Sequence, residues 1–142
     1  MSASWWVPCY SATGTVDQIE SHWESQSQYN VLTFTSLDDI GFGADQGDDY
    51  SCLEWGEAGL SNNNLITDDG SGYSLYNMFF NSNQFPGHVF INHNMEVTYL
   101  SSSSVSVSLA NFKINQMLES CGENCISDSD GDGINDLLDN CS

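Results

Sequence analysis

Apolar residues follow two spacings along the chain, and the spacing separates predicted helices from predicted strands. Over 15–29 apolar side chains recur every three to four residues, as one face of a helix requires, and Thr13 or Thr15 is available to cap it. The same spacing predicts a closing helix over 109–121. In contrast, 31–37 is rich in β-branched and aromatic residues, which is typical of a buried strand.

Shorter patterns occupy the middle of the chain. Residues 50–58 and 74–81 predict short helices, and 62–72 predicts polar turns around a brief apolar pair. Next, 88–92 and 95–100 are strand-like segments joined by a tight turn, which predicts a β-hairpin. A buried strand beside a crossing helix implies parallel pairing, yet only one strand precedes this hairpin. We therefore predict an α/β fold that lacks its first strand, because the chain begins in the middle of the fold.

The charge balance narrows the classes of partner. The 142 residues include 20 acidic side chains and one basic one, Lys113, so the formal net charge is −19. A surface this anionic repels phosphate backbones and anionic lipid, so we expect no nucleic-acid partner. No apolar run approaches the roughly 20 residues that span a bilayer, so we expect no membrane insertion. Repulsion among the acidic side chains should destabilise the folded chain unless divalent cations or salt screen it.

Acidic residues near the C-terminus have the spacing of a calcium-binding loop. Residues 128–139 place acids at positions 1, 3, 5, 9 and 12 and a glycine, Gly133, at position 6. Calcium prefers oxygen ligands, and a loop of this kind delivers them around a sharp turn that glycine permits. A solvated acidic tail is the alternative interpretation, and the match at these positions disfavours it. We expect Ca²⁺ to be bound by Asp128, Asp130, Asp132, the carbonyl of Ile134, Asp136 and Asp139.

The same segment has a family resemblance. Residues 128–141, DSDGDGINDLLDNC, resemble a single thrombospondin type 3 repeat and cover about a tenth of the chain. The resemblance implies a calcium-binding spacer or cell-surface module. It divides the chain into a main domain, 1–121, and a calcium-binding repeat, 122–142.

A second resemblance concerns the main domain. Trp5-Trp6-Val7-Pro8-Cys9 is similar to the thioredoxin-family active-site pattern Trp-Cys-x-Pro-Cys at every position but one, and Phe85-Pro86 before a strand resembles the family's cis-proline. The resemblance covers most of 3–121 and points to the secreted or periplasmic branch. It implies a thioredoxin-like sandwich that performs thiol–disulfide exchange. Implied partners are protein thiols and disulfides, or an extended peptide in the groove beside Pro86, and the implied location is secreted, periplasmic or at the cell surface.

Trp6 decides which chemistry this site retains. In the family the first cysteine is the attacking thiolate and the second resolves the mixed disulfide, so Trp6 stands at the nucleophile position and Cys9 at the resolving position. An indole cannot attack sulfur. Three interpretations remain: a binding module with a genuine Trp6, a selenocysteine read as tryptophan from a UGA codon, or a monothiol site at Cys9.

The five cysteines favour an oxidising compartment and leave one sulfur without an intramolecular partner. Cys125 and Cys141 bracket the acidic loop and could staple it, and Cys52 could then pair with Cys121. The thioredoxin resemblance implies that Cys9 is the odd residue, because its usual partner is replaced by Trp6. Four cysteines allow three connectivities, so this pairing is a hypothesis. A zinc site at Cys121 and Cys125 is disfavoured, because the sequence places no histidine to complete it.

The remaining polar residues have ordinary interpretations. None of His22, His88 and His93 has a serine or cysteine partner at an interpretable spacing, so no hydrolase triad is predicted. Paired aspartates such as Asp38-Asp39 are typical of solvated loops, with a second calcium site as the alternative.

Overall fold

A computed structural model of the chain describes residues 1, 7–37, 52–58, 65–68, 74–81 and 85–128. They form a mixed arrangement of helices and small sheets. In chain order the elements are α1 (Val7–Glu24), β1 (Thr35–Leu37), α2 (Cys52–Ala58), β2 (Ile66–Asp68), α3 (Ser74–Phe79), β3 (His88–Ile91), β4 (Val97–Ser101), α4 (Val107–Cys121) and a 3₁₀ turn (Gly122–Cys125).

Helix α1 begins eight residues before the predicted start at residue 15 and ends five before the predicted end at residue 29. Its buried apolar residues, Cys9, Ala12, Ile19 and Trp23, lie on one face. Thr13 was one of two candidate caps, but it lies inside the helix, where its hydroxyl donates to the Cys9 carbonyl at 3.2 Å. Burial of Cys9 and Ala12 therefore accompanies a helix that starts before the capping residues that the sequence offers.

The first pair of strands is parallel. β1 pairs with β2 in a register that sets Thr35 opposite Ile66 and Leu37 opposite Asp68, and α2 lies between the two strands in sequence. The prediction that 62–72 holds only turns was therefore wrong at 66–68. β2 has three residues, too few for a period of two to be recognised.

The second pair of strands is the predicted hairpin. β3 and β4 are antiparallel, with His88 opposite Ser101 and Phe90 opposite Tyr99. The Phe90 and Tyr99 rings meet edge to face at 5.7 Å between centroids. Among the described residues the strands form these two separate pairs. Met1 is bonded to the residue before β3: its amino group donates to the Gly87 carbonyl at 2.9 Å, and the Gly87 N–H donates to the Met1 carbonyl at 3.0 Å.

Helix α4 has clear ends. Ser106 caps it by accepting a hydrogen bond from the Leu109 N–H at 3.2 Å. Gly122, with φ of 62°, ends it and donates to the Leu118 carbonyl. No helix in the described part of the chain is both long and apolar enough to cross a membrane.

Two buried clusters organise the elements. The first, which we call the α1–α4 core, consists of Ile19, Trp23, Val105, Ala110 and Ile114, with Phe90 and Tyr99 of the hairpin packed against it. The Trp23 indole N–H donates to the Asn111 side-chain oxygen at 3.0 Å and so ties α1 to α4. The second, which we call the Cys9 cluster, consists of Cys9, Leu37 and Trp55.

The segment after α4 is bonded back to the body. The Asn30 N–H donates to the Cys125 carbonyl at 3.2 Å, and the Ser127 N–H donates to the Gln28 carbonyl at 2.8 Å. Tyr29 and Ile126 form an antiparallel bridge between these bonds. The beginning of the predicted calcium-binding segment is therefore held against the connection that follows α1.

Candidate functional site

Cys9 lies in the first turn of α1 and is fully buried, with an exposed fraction of 0%. Its side chain packs with Leu37 of β1 and Trp55 of α2. The N-terminal turn of a helix carries partial positive charge from backbone N–H groups, which favours a thiolate, whereas apolar burial disfavours it. A thiol in this position is shielded from bulky substrates.

The Pro86 loop borders the same cluster. Phe85 packs against the Cys9 cluster, Pro86 is buried, and the Phe85–Pro86 peptide bond is cis. The Phe85 ring lies 4.5 Å from that of Tyr76, measured between centroids. A side-chain carbon on Gly87 would stand 2.8 Å from the Phe80 ring, so only glycine fits here without a shift. The role of Pro86 as a site residue stays a prediction.

The start of α1, strands β1 and β2, helix α2 and the Pro86 loop thus meet at one place. Cys52, at the first position of α2, is half-buried and packs against the Cys9 cluster. Sequence reasoning assigned Cys52 to Cys121 and missed this neighbourhood, because no spacing in the sequence relates residue 52 to residue 9. Trp6, the predicted nucleophile position, lies outside the described residues.

The predicted disulfide pairs are wrong. Cys121 bonds to Cys125, with the sulfurs 1.97 Å apart and the Cα atoms 5.7 Å apart, so neither Cys52–Cys121 nor Cys125–Cys141 is formed. The reason is local geometry. Gly122 ends α4, and the 3₁₀ turn that follows brings Cys125 back over Cys121 at a separation suited to a disulfide.

A histidine lies beside that disulfide. His93, in the turn between β3 and β4, has a ring nitrogen within 4.8 Å of the sulfurs of Cys121 and Cys125. The expectation that no histidine is placed near these cysteines was therefore wrong. The sequence carries no signal for this contact, which exists only because the hairpin packs on α4.

His88 is the titratable group closest in sequence to Pro86. Its Nε2 atom is buried and has no hydrogen-bond partner among the described residues. Burial disfavours the imidazolium, and the positive amino group of Met1 disfavours it further, so the pKa of His88 falls from its ordinary 6.5 to about 4. The histidine beside the Pro86 loop is therefore neutral at physiological pH.

The predicted calcium ligands fall mostly beyond the described part of the chain. Asp128 is exposed and is the last described residue. The other predicted ligands, Asp130, Asp132, Ile134, Asp136 and Asp139, lie outside the described residues, so the calcium site stays a prediction.

Comparison with known proteins adds no relative. No protein-family model, curated protein or solved structure matches the chain. Functional inference therefore rests on the residues and their geometry.

Proposed function

We propose that the chain is an exported thiol–disulfide oxidoreductase of the thioredoxin type, with its exchange site at residue 6 and Cys9. The observation that supports this most is the neighbourhood of Cys9: a buried cysteine in the first turn of a helix, in a cluster that Phe85 of the Pro86 loop also contacts. Its partners are protein thiols and disulfides, bound as extended chain beside Pro86.

The burial of Cys9 assigns its role within this proposal. A thiol with no exposed surface cannot be approached by the disulfide of a protein substrate, which disfavours the monothiol interpretation. It can resolve a mixed disulfide formed three residues earlier in the chain. With a selenol or thiol at residue 6, that group attacks a substrate disulfide and releases one substrate thiolate. Cys9 then attacks the mixed bond and releases the second thiolate, leaving residues 6 and 9 joined and the substrate reduced.

Trp6 itself favours a second candidate function. With a tryptophan at residue 6 no attacking group precedes Cys9, and the same place becomes a binding site for an extended peptide. In this alternative the module stands on a calcium-stiffened surface spacer. The residue present at position 6 of the natural protein separates the two functions. A TGA codon with a selenium isotope pattern in the corresponding peptide supports the oxidoreductase, and a TGG codon supports the binding module.

A gain-of-function variant tests the geometry directly. Trp6→Cys restores two cysteines with two residues between them, and we expect it to form a disulfide between residues 6 and 9 on mild oxidation. We expect it also to reduce insulin with multiple turnovers when dithiothreitol is supplied to return the disulfide between residues 6 and 9 to the dithiol. The matched control is Trp6→Cys combined with Cys9→Ser, which in the absence of added reductant should stall as a mixed disulfide before completing one turnover, because the resolving thiol is absent.

Two further measurements complete the test. Trp6→Ser removes the indole without adding a thiol, and it should be as inactive as the parent chain. Peptide mapping of oxidised Trp6→Cys identifies the partner of the new cysteine. If it pairs with Cys52 instead of Cys9, or if insulin reduction does not exceed that of Trp6→Ser, the proposed exchange site is wrong.

We also propose that Ca²⁺ binds the acidic loop that starts at Asp128. Its support is the spacing of the carboxylates in the sequence, together with a net charge of −19 that favours bound cations. Secretion or surface display agrees with the Cys121–Cys125 disulfide, because disulfides persist in oxidising compartments.

A further inference from the structure

The Cys121–Cys125 disulfide, with His93 beside it, forms a group separate from the Cys9 cluster. Cys121 is the last residue of α4, Cys125 the last of the 3₁₀ turn, and His93 belongs to the turn of the β3–β4 hairpin. The nitrogen and sulfur atoms that can bind a metal all lie within 4.8 Å of one another. Three distinct elements thus supply two sulfurs and one imidazole to a single point.

The turn that carries His93 has a fixed conformation. The Asn92 side-chain oxygen accepts hydrogen bonds from the N–H groups of Asn94, at 3.0 Å, and Glu96, at 2.9 Å. The Asn92 N–H in turn donates to the Glu96 carbonyl at 2.9 Å. These bonds hold the backbone on both sides of His93, so little backbone conformational entropy remains to be lost when its ring binds a ligand.

The surroundings of the two cysteines favour a cation. They lie at the C-terminal end of the 15-residue helix α4, where unpaired carbonyls carry partial negative charge. The chain as a whole is strongly acidic. His93 is exposed and Cys125 is half-buried, so an ion can enter from solvent.

Two thiolates and one neutral imidazole are ligands that Zn²⁺ and Co²⁺ accept in tetrahedral geometry. In such a site sulfur stands about 2.3 Å and nitrogen about 2.0–2.1 Å from zinc. Two ligand atoms of one zinc ion are therefore less than 4.8 Å apart. The sulfur and nitrogen atoms of Cys121, Cys125 and His93 already lie within 4.8 Å of one another, which is compatible with such a site. Breaking the S–S bond lets the sulfurs separate to admit the ion. The fourth position is left for water or an external ligand.

We propose that Cys121, Cys125 and His93 form a redox-controlled site for a thiophilic divalent cation of the zinc type. In the oxidised state the two sulfurs are bonded to each other and the site is closed. A dithiol reductant gives two electrons to the Cys121–Cys125 bond and becomes a disulfide itself. The two thiols then bind the ion as thiolates and release two protons. In reverse, a disulfide oxidant takes two electrons from the bound thiolates, the S–S bond reforms and the ion leaves with its charge unchanged. This site does not depend on residue 6.

Cobalt is the first probe, because thiolate ligation gives it an intense charge-transfer band that oxygen ligands do not produce. The full chain is reduced, freed of reductant without air and titrated with Co²⁺ in excess Ca²⁺, which occupies sites built from oxygen ligands. We expect the thiolate band to saturate at one equivalent of Co²⁺ in the reduced chain. The oxidised chain should show no thiolate band. Cys121→Ser should lose the band. His93→Gln should weaken Co²⁺ binding by about tenfold or more, since even partners outside the ligand set change metal affinity by that factor.

His22→Gln is the matched control, because His22 is an exposed histidine on α1 that is not part of the group formed by His93, Cys121 and Cys125. It should bind Co²⁺ as the parent chain does. A second readout is residue-specific: Zn²⁺ should slow alkylation of Cys121 and Cys125 in the reduced chain while leaving Cys52 unchanged. If reduction unfolds the chain, Zn²⁺ should restore its helical circular dichroism in the parent and not in His93→Gln.

Three outcomes overturn the proposal. The first is a reduced chain without a thiolate band and without protection of Cys121 and Cys125 by Zn²⁺. The second is equal Co²⁺ affinity in His93→Gln and His22→Gln, which would remove His93 from the site. The third is an oxidised chain that binds Co²⁺ with the same band, which would remove the redox control.

Discussion

Acidification should weaken the fold through His88, and the size of the effect follows from its environment. His88 opens strand β3 with its Nε2 atom buried and, among the described residues, unbonded. Burial, and secondarily the amino group of Met1, lower its pKa from 6.5 to about 4. The unfolded chain therefore takes up a proton near pH 6.5, whereas the folded chain does so only near pH 4.

The sign and magnitude follow by linkage. Above pH 6.5 both states hold a neutral His88 and its contribution to stability is fully present. As the pH falls from 6.5 to 4 only the unfolded state is protonated, so the free energy of unfolding drops by about 1.4 kcal/mol per pH unit. The total loss is about 3 kcal/mol. Below pH 4 both states are protonated and no further change comes from this residue.

Urea denaturation of the parent chain and of His88→Gln at a series of pH values from 7 to 4 measures the effect. The difference between the two unfolding free energies should change by about 3 kcal/mol across that range, while the contributions of the acidic residues cancel. His22→Gln, at an exposed position of α1, should run parallel to the parent. Parallel profiles for the parent and His88→Gln, or a His88 titration near pH 6.5 by NMR, would refute the reasoning.

Two further results are expected. Glu20 has a buried carboxylate oxygen without a partner among the described residues, and its pKa is raised by burial and by the charges of Glu24 and Asp17. A raised carboxyl pKa means that the protonated form of Glu20 is favoured in the folded chain, so its contribution to stability is lost as the pH rises. Glu20→Gln should therefore stabilise the chain at pH 7. The expected gain is about 0.2–0.5 kcal/mol, the size of a like-charge pair three or four residues apart on a helix. The gain in unfolding free energy should exceed that of the exposed control Glu119→Gln and should vanish in acid. Equal gains in the two variants would contradict the prediction. Calcium at a hundred times its dissociation constant should stabilise a chain that binds it only when folded by about 2.7 kcal/mol, and it should protect the loop after Asp128 from protease. Unchanged melting and unchanged cleavage in chelator would remove the calcium assignment.

The elements that the sequence predicted well are those whose signals are local. Helix α4 and the β3–β4 hairpin were predicted to within about two residues, because an apolar stripe and a turn between alternating strands are read from neighbouring residues. Strand β2 was missed because its pairing with β1 joins distant residues, and its three residues carry no period of their own.

The candidate sites divide in the same way. The sequence alone determined which residues have chemistry to offer: the acidic spacing from Asp128 onward, the cysteine at residue 9 with tryptophan at residue 6, and a formal net charge of −19. These are properties of residue type and order, which folding does not change.

Only the tertiary structure decided which of these groups meet. Burial against Leu37 and Trp55 drew Cys9 into a helix longer than its caps predict, and Cys52 packs against the same cluster. The 3₁₀ turn after α4 joined Cys121 to Cys125. Packing of the hairpin on α4 then brought His93 to that pair. Such contacts depend on the apolar area that whole helices and strands bury together. The spacing between two residues in the sequence does not give that area.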